Sequence, residues 1–170
     1  FNSRIDLLEG LEAIKTGRAL TKHNEYGIEN LWHEINHNRQ IGADALFRLD
    51  QRHPLRQLAE MLNQYVSRVS YGGFIERLGG KARHQEWVMA NGYGYFNLVN
   101  NFQILLKRAN VDQSINGDLF NINFNSDLLG IASSLSLAIA KKSRYRQDDV
   151  YKLLLSIGDD VKFNALLGQM

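Results

Sequence analysis

The sequence predicts a mainly α protein, a compact multi-helix domain with at most a small β element. Three observations carry this. A single proline, Pro54, stands in 170 residues, and proline is the residue that a helix interior excludes most strongly. Apolar residues recur at three- and four-residue spacing over long stretches. Hydrophobic content of 44% and charged content of 22% are those of a globular domain. At this length one domain spanning 1–170 is expected, large enough to bury a core. The chain starts with Phe1 rather than Met, so it is expected to be a piece of a longer protein.

Residues 5–16 place Leu7, Leu8, Leu11 and Ile14 at helical spacing, and Gly17 suits the end of that helix. Thr21 or Asn24 can cap the next helix, which turns Ile28, Leu31, Trp32 and Ile35 inward and runs to about Gln40. A short helical turn is expected within 41–53. His53-Pro54 then breaks the chain, because the residue before proline is pushed out of helical geometry. Pro54 fits the first turn of a third helix over 55–69, with Leu58, Met61, Leu62, Tyr65 and Val69 as its core face. The paired glycines Gly72-Gly73 and Gly79-Gly80 predict a break over 70–80. Residues 82–108 read as the longest helix, bent or closely packed where Gly92 and Gly94 interrupt it. The alternation Phe120-Asn121-Ile122-Asn123-Phe124 predicts an extended connection or short strand within 110–126. Further helices follow near 126–141, 147–157 and 159–167, with no internal repeat.

Composition removes several classes of function. Without cysteine there is no disulfide, thiol nucleophile or thiolate metal site, so any metal must be held by His and carboxylate. A net charge of +2 is too small for a phosphate-backbone footprint, and no nucleic-acid partner is expected. The one basic cluster, Lys141 to Arg146, reads first as a solvated helix end. No apolar run approaches the roughly 18 residues that span a bilayer, so no membrane partner is expected.

The chemistry concentrates in Asn30 to Arg39. His33-Glu34-Ile35-Asn36-His37 is the pattern H-E-x-x-H. On a helix, residues four apart share a face, so the two imidazoles converge on one point with Glu34 beside them. Two neutral nitrogen ligands and a carboxylate that can take a proton are what a zinc hydrolase needs. On these five residues and their helical setting the sequence resembles the zincin metallopeptidases. The resemblance implies a zinc ion on His33 and His37, Glu34 as general base, and a peptide or protein substrate.

A zincin also needs a third protein ligand. The metzincin branch places a His six residues after the motif, and Ala43 stands there instead. The gluzincin branch takes a Glu from a later helix, which leaves Glu60, Glu76 and Glu86, with Asp50, His53 and His84 as further alternatives. Glu86 is preferred: Ala90, four residues on, lets its helix approach closely. Tyr93 lies on the same face, placed to reach a developing oxyanion. His84 is a candidate second-sphere imidazolium, against the plain reading of a histidine at a helix start. Asn36 and Asn38 flank the second ligand and could orient it, while His23 and His53 read as structural. Zincins carry a small sheet whose edge strand aligns the peptide; here it could come only from a missing N-terminal part or from residues 66–80, or the protein is all-helical. The rival expectation is a helical binding or structural module in which the motif is accidental or the metal purely structural.

Overall fold

The longest helix among the described residues is α4, Pro54–Arg77, and the rest of the chain packs around it. The computed structural model describes residues 3–170. Before α4 come α1 (Ser3–Lys15), α2 (Lys22–His37) and the short α3 (Ala43–Phe47). After it come α5 (Gln85–Asn91), α6 (Phe96–Arg108), α7 (Asn116–Asn125), α8 (Gly130–Lys142), α9 (Gln147–Leu155) and α10 (Asp160–Leu167). No strand occurs among the described residues, so the fold is mainly α without the small β element.

The helix starts follow the local chemistry. Thr21 and Asn24 form a reciprocal capping box at α2, each side chain accepting from the other's backbone N–H at 3.1 Å. At α4 the His53 ring Nδ1 accepts from Leu55 N at 3.2 Å, and Pro54 occupies the first turn. Three segments differ from the sequence expectation. The break at 70–80 is absent up to Arg77, because Tyr71 and Ile75 are fully buried on either side of Gly72-Gly73. Packing of those two side chains outweighs a glycine penalty of about 1 kcal/mol each. Residues 66–77 therefore supply no substrate-aligning sheet.

The single helix expected over 82–108 is two helices, α5 and α6. Arg68 is the reason: its Nη2 donates to Gly92 O (2.8 Å) and Gly94 O (2.6 Å), taking carbonyls that a continuous helix would use itself. A Cβ on Gly92 would lie 2.6 Å from that nitrogen, so only glycine fits. The extended connection over 110–126 is instead a 3-10 turn, Gln113–Ile115, running into α7. The Phe/Ile alternation there was a wrong periodicity; Leu119, Ile122 and Asn123 are the residues that α7 buries, at spacings of three and four.

Two apolar cores flank α4. The larger gathers Leu58, Met61, Leu62 and Val66 with side chains of α6 to α10, including Phe102, Leu119, Leu135, Leu153 and Phe163. The smaller gathers Ala13, Tyr26, Ile28, Trp32, Tyr71, Ile75 and Val88 from α1, α2, the end of α4 and α5. Gly27 sits where α2 crosses α1: a Cβ there would lie 2.6 Å from Leu7 N and 3.0 Å from the Asp6 carbonyl carbon. Gly27→Ala gains about 1 kcal/mol of helix propensity but drives a methyl group into backbone, an overpacking cost of about 1–3 kcal/mol. Backbone cannot rotate away as a side chain can, so a net loss of about 2 kcal/mol is expected in urea denaturation. An unchanged midpoint would mean that α1 is not seated on α2 as described.

Candidate metal centre

Between the two cores, α2 and α4 meet through polar side chains. On α2, Glu25, Glu29, His33 and His37 repeat every four residues and are buried, while α4 answers with Tyr71, Arg68, Gln64, Asn63 and Glu60. The helices run antiparallel, so early residues of one pair with late residues of the other. Glu25 accepts from Tyr71 Oη (2.8 Å) and from the backbone N–H groups of Arg83 (2.6 Å) and His84 (3.0 Å). Glu29 Oε1 accepts from Gln64 Nε2 at 2.6 Å, and Asn63 Nδ2 donates to His33 O at 3.0 Å. On a neighbouring face Trp32 Nε1 donates to Ser70 and Asn36 Nδ2 to Ser67.

At the C-terminal end of this polar seam three donor atoms converge. His37 Nε2 lies 3.0 Å from His33 Nε2 and 2.9 Å from Glu60 Oε2, and His33 Nε2 lies 3.6 Å from the same oxygen. The three residues are 5%, 5% and 4% exposed, in the order His33, His37, Glu60. Burial alone would raise the Glu60 carboxyl; hydrogen bonds and charge from the two imidazoles outweigh it and hold it down to about 2. Burial alone would lower His37; its bond to Glu60, the Glu60 charge, its bond to Gln40 and the Glu34 charge together outweigh that and raise it.

The donor set fits a tetrahedral divalent ion. Zinc bonds of about 2.0–2.1 Å at the tetrahedral angle separate ligand atoms by about 3.3 Å. The observed edges of 2.9, 3.0 and 3.6 Å bracket that value. Two imidazoles and one carboxylate are also the hydrolytic zinc set, and His33, His37 and Glu60 form the only such His/Asp/Glu group among the described residues.

The positions singled out from sequence are distributed as follows. His33 and His37 come together. Glu34 is exposed, at the edge of the centre, close enough for its charge to raise both His37 and Tyr95. Glu86 does not join them: it is exposed on the first turn of α5, and Glu60 occupies the third place. Glu76 is likewise exposed near the end of α4. His84 is the N-cap residue of α5, anchored through its backbone to Glu25, which suits its structural reading. Tyr93 is 66% exposed with its ring edge-on to Tyr26 at 6.1 Å.

The aromatic that does cover the centre is Tyr95. Its ring stacks on His33 at 5.9 Å and an interplanar angle of 29°. Arg68 holds the preceding carbonyls, Tyr26 Oη accepts from Gly94 N at 2.8 Å, and Tyr95 itself adopts a left-handed φ of 49°. Such a backbone costs a non-glycine residue about 1–2 kcal/mol and persists where its surroundings impose it. Phe47 of α3 lies 6.1 Å from the other imidazole, the His37 ring. Asn36 and Asn38 do not orient His37; they bond Ser67 and the Glu34 carbonyl, and Gln40 takes that place with Oε1 2.8 Å from His37 Nδ1.

Spacing leaves Glu60 open as a third ligand without favouring it, and it singles out Tyr93 rather than Tyr95. In α4 the polar residues Glu60, Asn63, Gln64, Ser67 and Arg68 recur at helical spacing opposite an apolar stripe, which from sequence alone reads as a solvated face. The matching stripe Glu25, Glu29, His33, His37 on α2 was the available signal that two polar faces meet. No family model, curated protein or solved structure matches the chain.

Proposed function

We propose that the protein is a zinc-dependent hydrolase, and specifically a metallopeptidase, with His33, His37 and Glu60 holding the ion and Glu34 as general base. The observation that supports this best is the buried trio of donor atoms spaced as a tetrahedral ion requires. No fourth His or carboxylate joins that group among the described residues. Three protein ligands with one position left over are the pattern of a catalytic site, whereas structural sites close with four. When bound, zinc supplies Lewis acidity, polarising a carbonyl and bringing the pKa of a water ligand towards 7.

The chain's own groups divide the remaining work. Glu34, exposed and near enough for its charge to reach His37, takes the proton of the attacking water and passes it to the leaving amine. Tyr95 is pushed up to about 12 by burial and by the neighbouring Glu60 charge, so at neutral pH its phenol keeps its proton. It can donate to an oxyanion developing beside His33, the role that sequence spacing suggested for Tyr93. Tyr95 and Phe47, 41% and 58% exposed, flank the two imidazoles and suit apolar side chains next to the scissile bond. The peptide is gripped by such side chains rather than by strand pairing to any described residue.

Elemental analysis tests the metal: about one zinc per chain is expected, lost in His33→Ala. Glu34→Gln is expected to keep the zinc and to lower hydrolysis of a peptide library by about 10²–10⁴-fold. A purified protein that takes up no zinc ends this reading. Zinc retained with Glu34→Gln as active as the parent, or with no hydrolysis in either, supports instead a structural metal in a helical binding module.

A further inference from the structure

The two imidazoles are joined on their far sides as well as at the donor cluster. Gln40, in the turn after α2, places Oε1 2.8 Å from His37 Nδ1, and its Nε2 donates to Asn123 Oδ1 at 2.8 Å. Asn123 Nδ2 donates to Asn63 Oδ1 at 3.2 Å, and Asn63 Nδ2 lies 3.3 Å from His33 Nδ1. Three amides from three separate segments thus connect one ring to the other. Asn63 and Asn123 are fully buried, so water does not compete for these bonds.

The direction of the relay follows from one backbone group. A carbonyl oxygen only accepts, and Asn63 Nδ2 sits 3.0 Å from the His33 carbonyl. That orients Asn63 with its oxygen towards Asn123, which orients Asn123 with its oxygen towards Gln40, which orients Gln40 with its oxygen towards His37. The His37 Nδ1 must then carry a hydrogen, which leaves Nε2 as the nitrogen turned to Glu60 and His33 and the one that would exchange its own proton for a metal ion. At the other end the same amide is closer to the His33 carbonyl than to its ring, so the relay grips His37 harder than His33.

We infer that Asn123 is a positioning residue for the metal centre: it is the middle link of a directed amide relay that sets the tautomer and ring orientation of His37. Helix α7 contributes no donor atom to the His33–His37–Glu60 group, yet through Asn123 it orients a ligand carried by α2. This inference rests on the zinc reading only for its affinity arm. Outer-shell partners that orient metal-bound imidazoles are worth about 10–100-fold in metal affinity.

Two measurements test it. On the metal-free protein, nitrogen-15-edited spectra should show a hydrogen on His37 Nδ1 that is protected from exchange with water. In Asn123→Leu, with far-UV circular dichroism intact, that protection should be lost. In chelator competition, Asn123→Leu and Gln40→Leu should each weaken zinc binding by about 10–100-fold. The double variant should be no weaker than the worse single, because both cut one chain. An equally protected His37 Nδ1 hydrogen in Asn123→Leu, or single effects that multiply in the double variant, overturns the relay. If Asn123→Leu does not fold, Gln40→Leu, at a half-buried position, carries both measurements: it should expose the Nδ1 hydrogen and weaken zinc, and a parental result in either overturns the relay. A parent protein that takes no zinc but shows the protected hydrogen and its loss sinks the hydrolase reading and leaves the relay standing.

Discussion

With zinc held as proposed, Glu60→Gln is expected to weaken its binding by at least about 100-fold, and Glu86→Gln to leave it unchanged. The bound is set by the roughly 10–100-fold that an outer-shell partner is worth, which loss of a direct ligand should exceed. The amide is nearly isosteric, so packing against α2 survives and the missing quantity is the negative charge 2.9 Å from His37 Nε2. Burial gives that charge its weight: in a site 4–5% exposed, water cannot replace the lost carboxylate. Glu86 stands in solvent on α5 and has no such part to play. Competition against a chromophoric chelator decides between the two. Equal affinity for parent and Glu60→Gln would remove Glu60 from the ligand set, and a loss confined to Glu86→Gln would restore the ligand that sequence spacing favours.

The second large effect concerns Glu29, one helical turn before His33. Its carboxyl is fully buried, one oxygen bonded to Gln64 and the other without a hydrogen-bond partner. Burial pushes it up to about 8 from an ordinary 4.5, against the opposing pull of the Arg68 charge. The folded state therefore binds a proton more tightly than the unfolded chain. Below the unfolded value both states are protonated and the contribution is complete. As pH rises from about 4.5 to about 8 the unfolded chain alone ionises, and stability falls by about 1.4 kcal/mol per pH unit. Urea denaturation should show the parent losing up to about 5 kcal/mol over that window. His37, also raised, adds loss of the same sign as pH rises through its folded value. Glu29→Gln keeps an acceptor for Gln64 and cannot ionise, so at pH 8 it should be the more stable protein while at pH 5 the two nearly coincide. A parent at least as stable at pH 8 as at pH 5 would show that Glu29 is not held neutral.

The helical class, the H-E-x-x-H pair and the caps at Thr21 and His53-Pro54 were all present in local sequence. Each depends on residues within about a turn of one another, where periodicity and capping chemistry act without help from the rest of the chain. His33 and His37 are of this kind: once α2 is a helix, they must share a face.

What local sequence did not carry was decided between segments. Gly72-Gly73 reads as a break until Tyr71 and Ile75 are buried on both sides of it. The interruption near Gly92 needs Arg68 from another helix to claim two carbonyls, and that clamp brings Tyr95 rather than Tyr93 over His33. Sequence spacing favours Glu86 over Glu60; antiparallel packing of α4 on α2 buries Glu60 against the imidazoles, while Glu86 on α5 lies in water. The sequence by itself determined that His33 and His37 share one face of a helix, with Glu34 next to them in the chain. Only the tertiary structure decided which carboxylate meets the imidazoles and which amides link Gln40 to His33, because those are contacts between residues more than twenty positions apart.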